Sequence, residues 1–341
     1  MKILTISIAA YNVEKFLDKT LSSLCKESLS EDLEVLIIDD GSTDKTGNIA
    51  KQYEKKYPNI FRYVYKENGG HGSTINKGIE LAQGKYFRVL DGDDYFSAEA
   101  LPCFIERLKK TEEDVVISDY RCVDEHGKIY QDPYVKVGGT YVFSGLIDNN
   151  IYDVDDTLMT SLLFVIPSIT IKVELLKTAN VYITEKCFYV DMEYDLYAIL
   201  LAKRFVYFKT PIYMYFKSRT GRTDNSVAKK NMIKNIDMQE KVLFSMIDIY
   251  RMYRENIFLE EKKKLVMSRI STMLGGIIRT YMLMSESSEK IRLLDLKLKN
   301  KSCEVYEMVD DDRFIRCVRR KNYILVPFIK VAYKIWLMCK G

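Results

Sequence analysis

Short continuous apolar runs alternate with stretches of helical spacing through the first part of the chain. Ile3 to Ala9 is one such run, Leu33 to Ile38 a second, Phe61 to Tyr65 a third and Tyr86 to Leu90 a fourth. Runs of this length bounded by polar turns read as buried strands. Between the first two, Val13, Phe16, Leu17, Leu21 and Leu24 recur at helical spacing. The pattern predicts further helices over Lys45 to Tyr57, Thr74 to Ala82 and Ser97 to Lys109, and another strand over Asp114 to Ser118. Gly41 permits a sharp turn, Ser42 or Thr43 can cap the helix that follows it, and Gly84 stops the helix before Tyr86. Strands alternating with helices in this way predict an α/β fold with a mostly parallel sheet flanked by helices.

Between Tyr120 and Ser168 the pattern loosens, and Gly138–Gly139 and the acidic stretch Asp153–Asp156 read as loops or an insertion with no assigned role. Regularity returns with Ser168 to Lys172 and a helical Val173 to Thr178. Phe188 to Tyr194 opens an apolar helix through Leu201, and the apolar stretches Val206 to Lys209 and Pro211 to Tyr215 complete this segment. From Asn231 onward the apolar positions read as a succession of helices.

Two predicted strands end in acidic turns, at Asp39–Asp40 and at Asp91-Gly92-Asp93-Asp94. In a parallel α/β sheet such ends open into one crevice, where ligands bind. Three carboxylates around one glycine repel one another unless a cation neutralises them, and Mg²⁺ or Mn²⁺ is commonly held by one or two carboxylates plus substrate phosphates. A solvated acidic turn is the competing reading, since Asp and Gly are also common turn residues. Between the two acidic turns lies Asn68-Gly69-Gly70-His71-Gly72-Ser73, which matches neither a dinucleotide fingerprint nor a P-loop. Its amides could line a ligand at the start of the next helix, or it could be a plain strand-to-helix turn.

Composition narrows the class. The chain has 341 residues, 47% hydrophobic and 29% charged, as in a folded globular protein of one large or two moderate domains. A net charge of +4 is too small to imply a nucleic-acid partner. Seven scattered cysteines without a CxxC pair suggest a reduced, cytoplasmic chain, and two histidines exclude a multi-histidine metal site. The first apolar run is short, contains Thr5 and Ser7, and reads as a strand, not a signal peptide. Charge is uneven, however: from Arg313 to Gly341 there are eight basic residues and no acidic one. The aromatic and aliphatic residues interleaved there suit a segment lying on an anionic membrane surface, with RNA or a partner subunit as competitors.

The ordered set Ala10-Tyr11-Asn12, Asp39-Asp40-Gly41-Ser42-Thr43-Asp44, Asn68-Gly69-Gly70 with Asn76-Lys77-Gly78, and Leu90-Asp91-Gly92-Asp93-Asp94 resembles the N-terminal half of family 2 glycosyltransferases. These are inverting enzymes of GT-A (Rossmann-like) fold, of the type that builds bacterial surface polysaccharides. The resemblance implies a catalytic domain over residues 1–225, with a donor half 1–120 and an acceptor half 121–225, followed by a helical C-terminal region 226–341. It implies a nucleotide-diphosphate donor, with UDP-sugar favoured, and a glycan or lipid-linked acceptor hydroxyl. Tyr11 and Asp40 would bind the donor base, with Ala9, Asn68, Gly69 and Gly92 lining the donor. Asp91 would lie near ribose and diphosphate, and Asp93 with Asp94 would hold the Mg²⁺ or Mn²⁺.

On the acceptor side the family opens a helix with a Glu-Asp pair whose Asp is the catalytic base. Asp191 fits that position, although Val190 replaces the acidic neighbour. Without the resemblance, Asp191 reads equally as an acid favoured at a helix N-terminus. Arg219 and Arg222 would help neutralise the departing diphosphate, or form a solvated basic loop. The tail would place the protein peripherally on the inner face of the cell membrane. A sugar-1-phosphate nucleotidyltransferase would need a glycine-rich basic loop after the first strand, which is absent. A non-catalytic nucleotide-sugar-binding or scaffold subunit is the alternative, encouraged only by Val190.

Overall fold

Strand β1 (Leu4–Ala10) is the axis of the first part of the structure. It pairs in parallel with β2 (Leu33–Asp39) on one side and with β4 (Tyr86–Asp91) on the other. Leu4, Ile6, Ile8 and Ala10 are fully buried in a core shared with the helices α1 (Leu17–Ser22) and α4 (Leu101–Lys110). Thr5 and Ser7, on the alternate face, are buried as well. A strand covered on both faces needs the continuous apolar run that the sequence shows.

The structure is a computed structural model that describes residues 1–124, 127–129, 140–141, 146–154, 164–216, 229–256, 260–320 and 323–340. They belong to two units, Met1–Arg222 and Thr223–Gly341. The expected boundary at 225 lies outside the described residues.

The remaining elements of the first unit are α2 (Thr46–Lys56), β3 (Phe61–Tyr65), α3 (His71–Leu81), β5 (Tyr95–Phe96), β6 (Val115–Val123), β7 (Thr140–Tyr141), β8 (Ile151–Asp153), β9 (Ile169–Lys172), α5 (Val173–Thr178), α6 (Asp191–Leu201) and β10 (Arg204–Phe216). Ten strands form one sheet among the described residues, in the order β3-β2-β1-β4-β9-β6-β10-β5, with β7 on β6 and β8 on β10. The chain builds outward from β1 through β2 to β3, then returns to its other side with β4. That reversal makes the carboxyl end of β1 a switch point, where an open α/β sheet leaves its crevice. Register sharpens the point: Ala10 stands beside Asp39 and Ala9 beside Asp91, so both acidic turns emerge at one level.

Four predicted boundaries shift for local reasons. The Val13–Leu24 pattern becomes a helix only over Leu17–Ser22, after a turn closed by Phe16 N–H on Val13 O. Helix α3 begins at His71, earlier than the apolar spacing predicts, because Gly70 supplies its N-cap. Helix α4 begins at Leu101 because Ser97 is tied to Ile212 O and receives the amides of Ala100 and Leu101. The stretches around Pro211 are one strand, β10, whose pairing with β6 shifts register between Phe208 and Tyr213. Proline has no N–H for the ladder, so a register break there is the expected accommodation.

The second unit is helical, as the spacing predicts: α7 (Lys229–Lys234), α8 (Ile236–Tyr253), α9 (Glu260–Met282), α10 (Ser287–Lys301), α11 (Cys303–Met308), α12 (Arg313–Arg319) and α13 (Val326–Lys340). Leu243, Met246, Leu265, Ile270, Leu274 and Ile277 are buried, so the Met-rich stretch is core packing. Arg319 and Asp295 form a buried bidentate pair, with bonds of 2.9 and 2.7 Å, and Tyr323 donates to the same carboxylate at 2.7 Å. No described helix is long and apolar enough to cross a membrane.

Candidate active site at the carboxyl end of the sheet

The acidic turn after β4 is held from three directions. Gly92 N–H donates to Ala9 O at 3.0 Å, and Asp94 N–H closes the turn on Asp91 O at 3.0 Å. Thr20 Oγ1, from α1, reaches the carbonyls of Gly92 and Asp94 at 3.0 and 2.7 Å. A Cβ at position 92 would stand 2.8 Å from Ala9 O, so only glycine lets the turn lie this close to β1.

Asp91, Asp93 and Asp94 each offer a carboxylate oxygen within 4.8 Å of the others. They differ in burial: Asp91 and Asp93 are half-buried, whereas Asp94 is fully buried. Both Asp94 oxygens already take bonds from β10, from Tyr213 hydroxyl and from Phe216 N–H, each at 2.6 Å. Burial pushes the Asp94 carboxyl well above the usual carboxylate range, Asp91 adds repulsion, and the two bonds from β10 pull the other way. The Tyr213 hydroxyl also receives Asp91 N–H at 3.3 Å, so one phenol ties two members of the cluster to β10. Hard oxygen donors with crowded negative charge are the donor set for Mg²⁺ or Mn²⁺, and the residues present fit such an ion.

The second acidic turn works differently. Asp39 accepts from Ser42 N–H at 2.8 Å and from the Tyr63 hydroxyl at 2.8 Å, which shapes its own loop. Asp40 is buried, and its carboxylate takes bonds from Lys66 Nζ at 2.7 Å, Gly69 N–H at 2.9 Å, Ser73 Oγ at 3.2 Å and Gly70 N–H at 2.8 Å. Two amides of the glycine-rich turn, those of Gly69 and Gly70, are thus bonded to Asp40. Asn68 joins the same anchor through its amide on Asp40 O at 3.0 Å. Tyr11 is half exposed beside this turn's neighbour loop: Asn12 accepts from Thr43 N–H at 2.8 Å and donates its own N–H to Ser42 Oγ at 3.0 Å. Ala9 is half-buried between the two turns. A cavity of about 480 Å³ between α3 and α5 shares Lys66 and Ser73 with this anchor but no residue of the acidic cluster.

Asp191 is the first residue of α6 and is exposed. Its position is set by the segment before it. Thr184 donates its N–H and its hydroxyl to the two oxygens of buried Glu193, both at 2.7 Å. Asn76 of α3 bonds Ile183 N–H and O, each at 2.8 Å, and Lys186 N–H reaches Gly69 O at 2.5 Å. Gly72 completes the fit, since a Cβ there would stand 2.1 Å from Thr184 O. The glycine-rich turn and the start of α6 are thus packed through one segment. Val190, which departs from the family's acidic residue, points into the core.

His71 is a site residue that the sequence does not single out. Its Nε2 stands 3.2 Å from Asp91 Oδ1. Burial opposes the imidazolium, but Asp91, then Asp191 and Asp40, outweigh it and raise its pKa above the ordinary value. Tyr215 likewise feels Asp94, Asp91 and Asp191. The acidic cluster and Asp191 therefore share one electrostatic neighbourhood. Lys66 is a second such residue. The available signals are its place just beyond β3 and the place of His71 directly after the paired glycines. Arg219 and Arg222 lie outside the described residues.

The chain is similar in part to known proteins. Residues 5–161 match the family model for glycosyl transferase family 2. Among curated relatives, an uncharacterized glycosyltransferase, MG060, of Mycoplasma genitalium is 38% identical over 121 residues, covering 34% of this chain and 41% of that protein. The poly(ribitol-phosphate) beta-glucosyltransferase of Bacillus spizizenii is 35% identical over 129 residues, covering 37% of this chain and 20% of its own length. The chain thus spans less than half the length of these relatives. The solved structure of S. aureus TarS 1–349 with UDP-GlcNAc superposes with a TM-score of 0.55 at 20% identity, covering 91% of each chain. The α/β, GT-A-like fold expected from the sequence is the fold observed, extending through the helical C-terminal region.

Proposed function

We propose that this chain is a metal-dependent, inverting glycosyltransferase that moves a sugar from a UDP-sugar to a hydroxyl of a lipid-linked or growing surface glycan. The observation that carries this reading is the Asp91–Asp93–Asp94 cluster at the carboxyl end of the sheet, on which His71 and Tyr215 border and whose charge they feel together with that of Asp191. A donor half and an acceptor half that met nowhere would argue for a binding subunit. The UDP-GlcNAc with which TarS was solved supports the donor class, and the poly(ribitol-phosphate) for which the Bacillus relative is named supports the acceptor class.

Asp91 and Asp93 are the half-buried carboxylates that would hold the cation, with Asp94 acting mainly to fix the turn. The bound Mg²⁺ or Mn²⁺ would supply Lewis acidity to the leaving diphosphate. Asp191 would take the acceptor's hydroxyl proton as the oxygen attacks the anomeric carbon. Attack opposite the diphosphate inverts that centre. Arg219 and Arg222 would add positive charge on the departing side, and Tyr11, Ala9, Asn68, Gly69, Gly92 and the Asp40 anchor would shape the donor pocket. The reading places the protein at the inner face of the membrane, where lipid-linked acceptors are found.

The test is Asp191→Asn assayed against a panel of nucleotide sugars and acceptors, with donor binding followed by calorimetry. Transfer should be lost while donor affinity stays within about twofold, since a base acts on the transition state and not on donor binding. Parallel loss of both would remove Asp191 from the role of base.

A further inference from the structure

We infer that α13 is a docking surface for an anionic lipid bilayer, used with its axis along the membrane plane. The sequence suggests an amphipathic basic tail, and the structure shows which face is outward. Within the second unit, Val326 is buried and Lys330 is turned inward, its ammonium bonded to Met284 O and, at 3.2 Å, to Ser287 Oγ. Tyr323, just before the helix, is fixed to Asp295. The helix is therefore pinned by its polar contacts. Its apolar stripe faces the other way: Phe328, Val331 and Ile335 follow one another at helical spacing and are exposed, Phe328 by 71% and Ile335 by 51%, and Ile324 is exposed just before the helix. Trp336 is half exposed beside them, stacked on Tyr333 at 5.9 Å. A soluble helix normally buries such a stripe, and one that presents it to solvent marks an interaction surface.

Charge selects the occupant. Lys334 is exposed on the same helix, and Arg313, Arg316 and Arg320 are exposed just before it, within the stretch that has eight cations and no acid. A second copy meeting this face would bring like charges together, which disfavours self-association. An anionic leaflet complements both the stripe and the cations, and Trp and Tyr suit the headgroup level. The stripe needs no spanning length to work this way, consistent with the lack of a described helix able to cross a bilayer.

Docking through α13 deepens the membrane part of the proposed function and rests on it, but its test is independent of sugar transfer. Trp336 is the chain's single tryptophan, so its emission reports on α13 in the unaltered protein. Added vesicles of equimolar phosphatidylglycerol and phosphatidylcholine should shift that emission to the blue and carry the protein with them on flotation. Phosphatidylcholine alone should do neither, and salt should weaken the effect. Phe328→Asp combined with Ile335→Asp should weaken vesicle binding by more than about tenfold through lost apolar burial. Lys334→Glu should cost roughly fivefold or more. Both substitutions are on the surface, so melting should change little. Unchanged emission with anionic vesicles would overturn the proposal. So would a concentration-dependent dimer that the paired aspartates abolish. A chain that binds vesicles but transfers no sugar would instead count against the proposed function alone.

Discussion

The Tyr213 hydroxyl donates to Asp94 at 2.6 Å and receives the amide of Asp91 at 3.3 Å, so strand β10 fixes the acidic turn that follows β4. Tyr213→Phe should leave the Asp94 carboxylate buried with one donor fewer. The expected cost is about 1–3 kcal/mol in urea unfolding, typical of a buried polar group left short of a partner. Unfolding within experimental error of the parent would mean that Phe216 N–H alone holds Asp94.

Asp93→Ala tests the cation. Calorimetry with Mn²⁺ should show binding weakened by about tenfold or more, since removing one of two half-buried carboxylates removes a charged ligand worth at least ~1.4 kcal/mol. Asp94→Asn should have the smaller effect on cation affinity and the larger one on stability, because its oxygens serve β10. Equal effects of both substitutions on affinity would make Asp94 a full ligand.

His71 gives a direct readout of where the cation sits. In the cation-free protein its pKa is raised above 6.5, so the imidazolium contributes stability that is complete below that value and is lost as pH rises through the folded-state midpoint. A divalent ion on Asp91 and Asp93 would oppose the imidazolium, and the titration midpoint should fall when Mg²⁺ is added. Proton NMR of the ring can follow it, because the chain has only two histidines and His71→Gln assigns the signal. A midpoint indifferent to Mg²⁺ would place the ion away from Asp91.

Glu193 should behave as a positioning residue. Glu193→Gln replaces an acceptor for the Thr184 N–H and hydroxyl with a group that offers only one oxygen. Turnover should drop by about tenfold to a hundredfold through displacement of Asp191. Donor affinity should hold, as calorimetry would show. A strict loss of fold instead of turnover would make Glu193 purely structural.

Much of this is legible in the sequence because the signals are local. Apolar runs mark β1 to β4, and the acidic turns mark their ends. The burial of Val190 is hidden for the opposite reason, since a single apolar residue before an acid carries no directional signal. The pairing of Asp40 with Lys66, Gly69, Gly70 and Ser73 depends on two loops brought together by the parallel pairing of β2 and β3. His71 acquires meaning only when α3 begins at Gly70 and points it at Asp91, a contact between residues twenty positions apart. Helix starts fixed by tertiary bonds, as at Ser97, are likewise invisible to apolar spacing.

The uneven loading of the Asp40 carboxylate has one more consequence. Lys66, Gly69 and Ser73 all reach Oδ1, whereas Oδ2 takes the Gly70 amide, one of the roughly two positions an oxygen offers. A nucleobase N–H seeking this acceptor would settle on Oδ2 beside that amide, while a bond to Oδ1 would have to displace one already made. Discrimination between bases would then rest on which edge fits next to the Gly70 amide, and an edge that needs both oxygens would require the glycine turn to move.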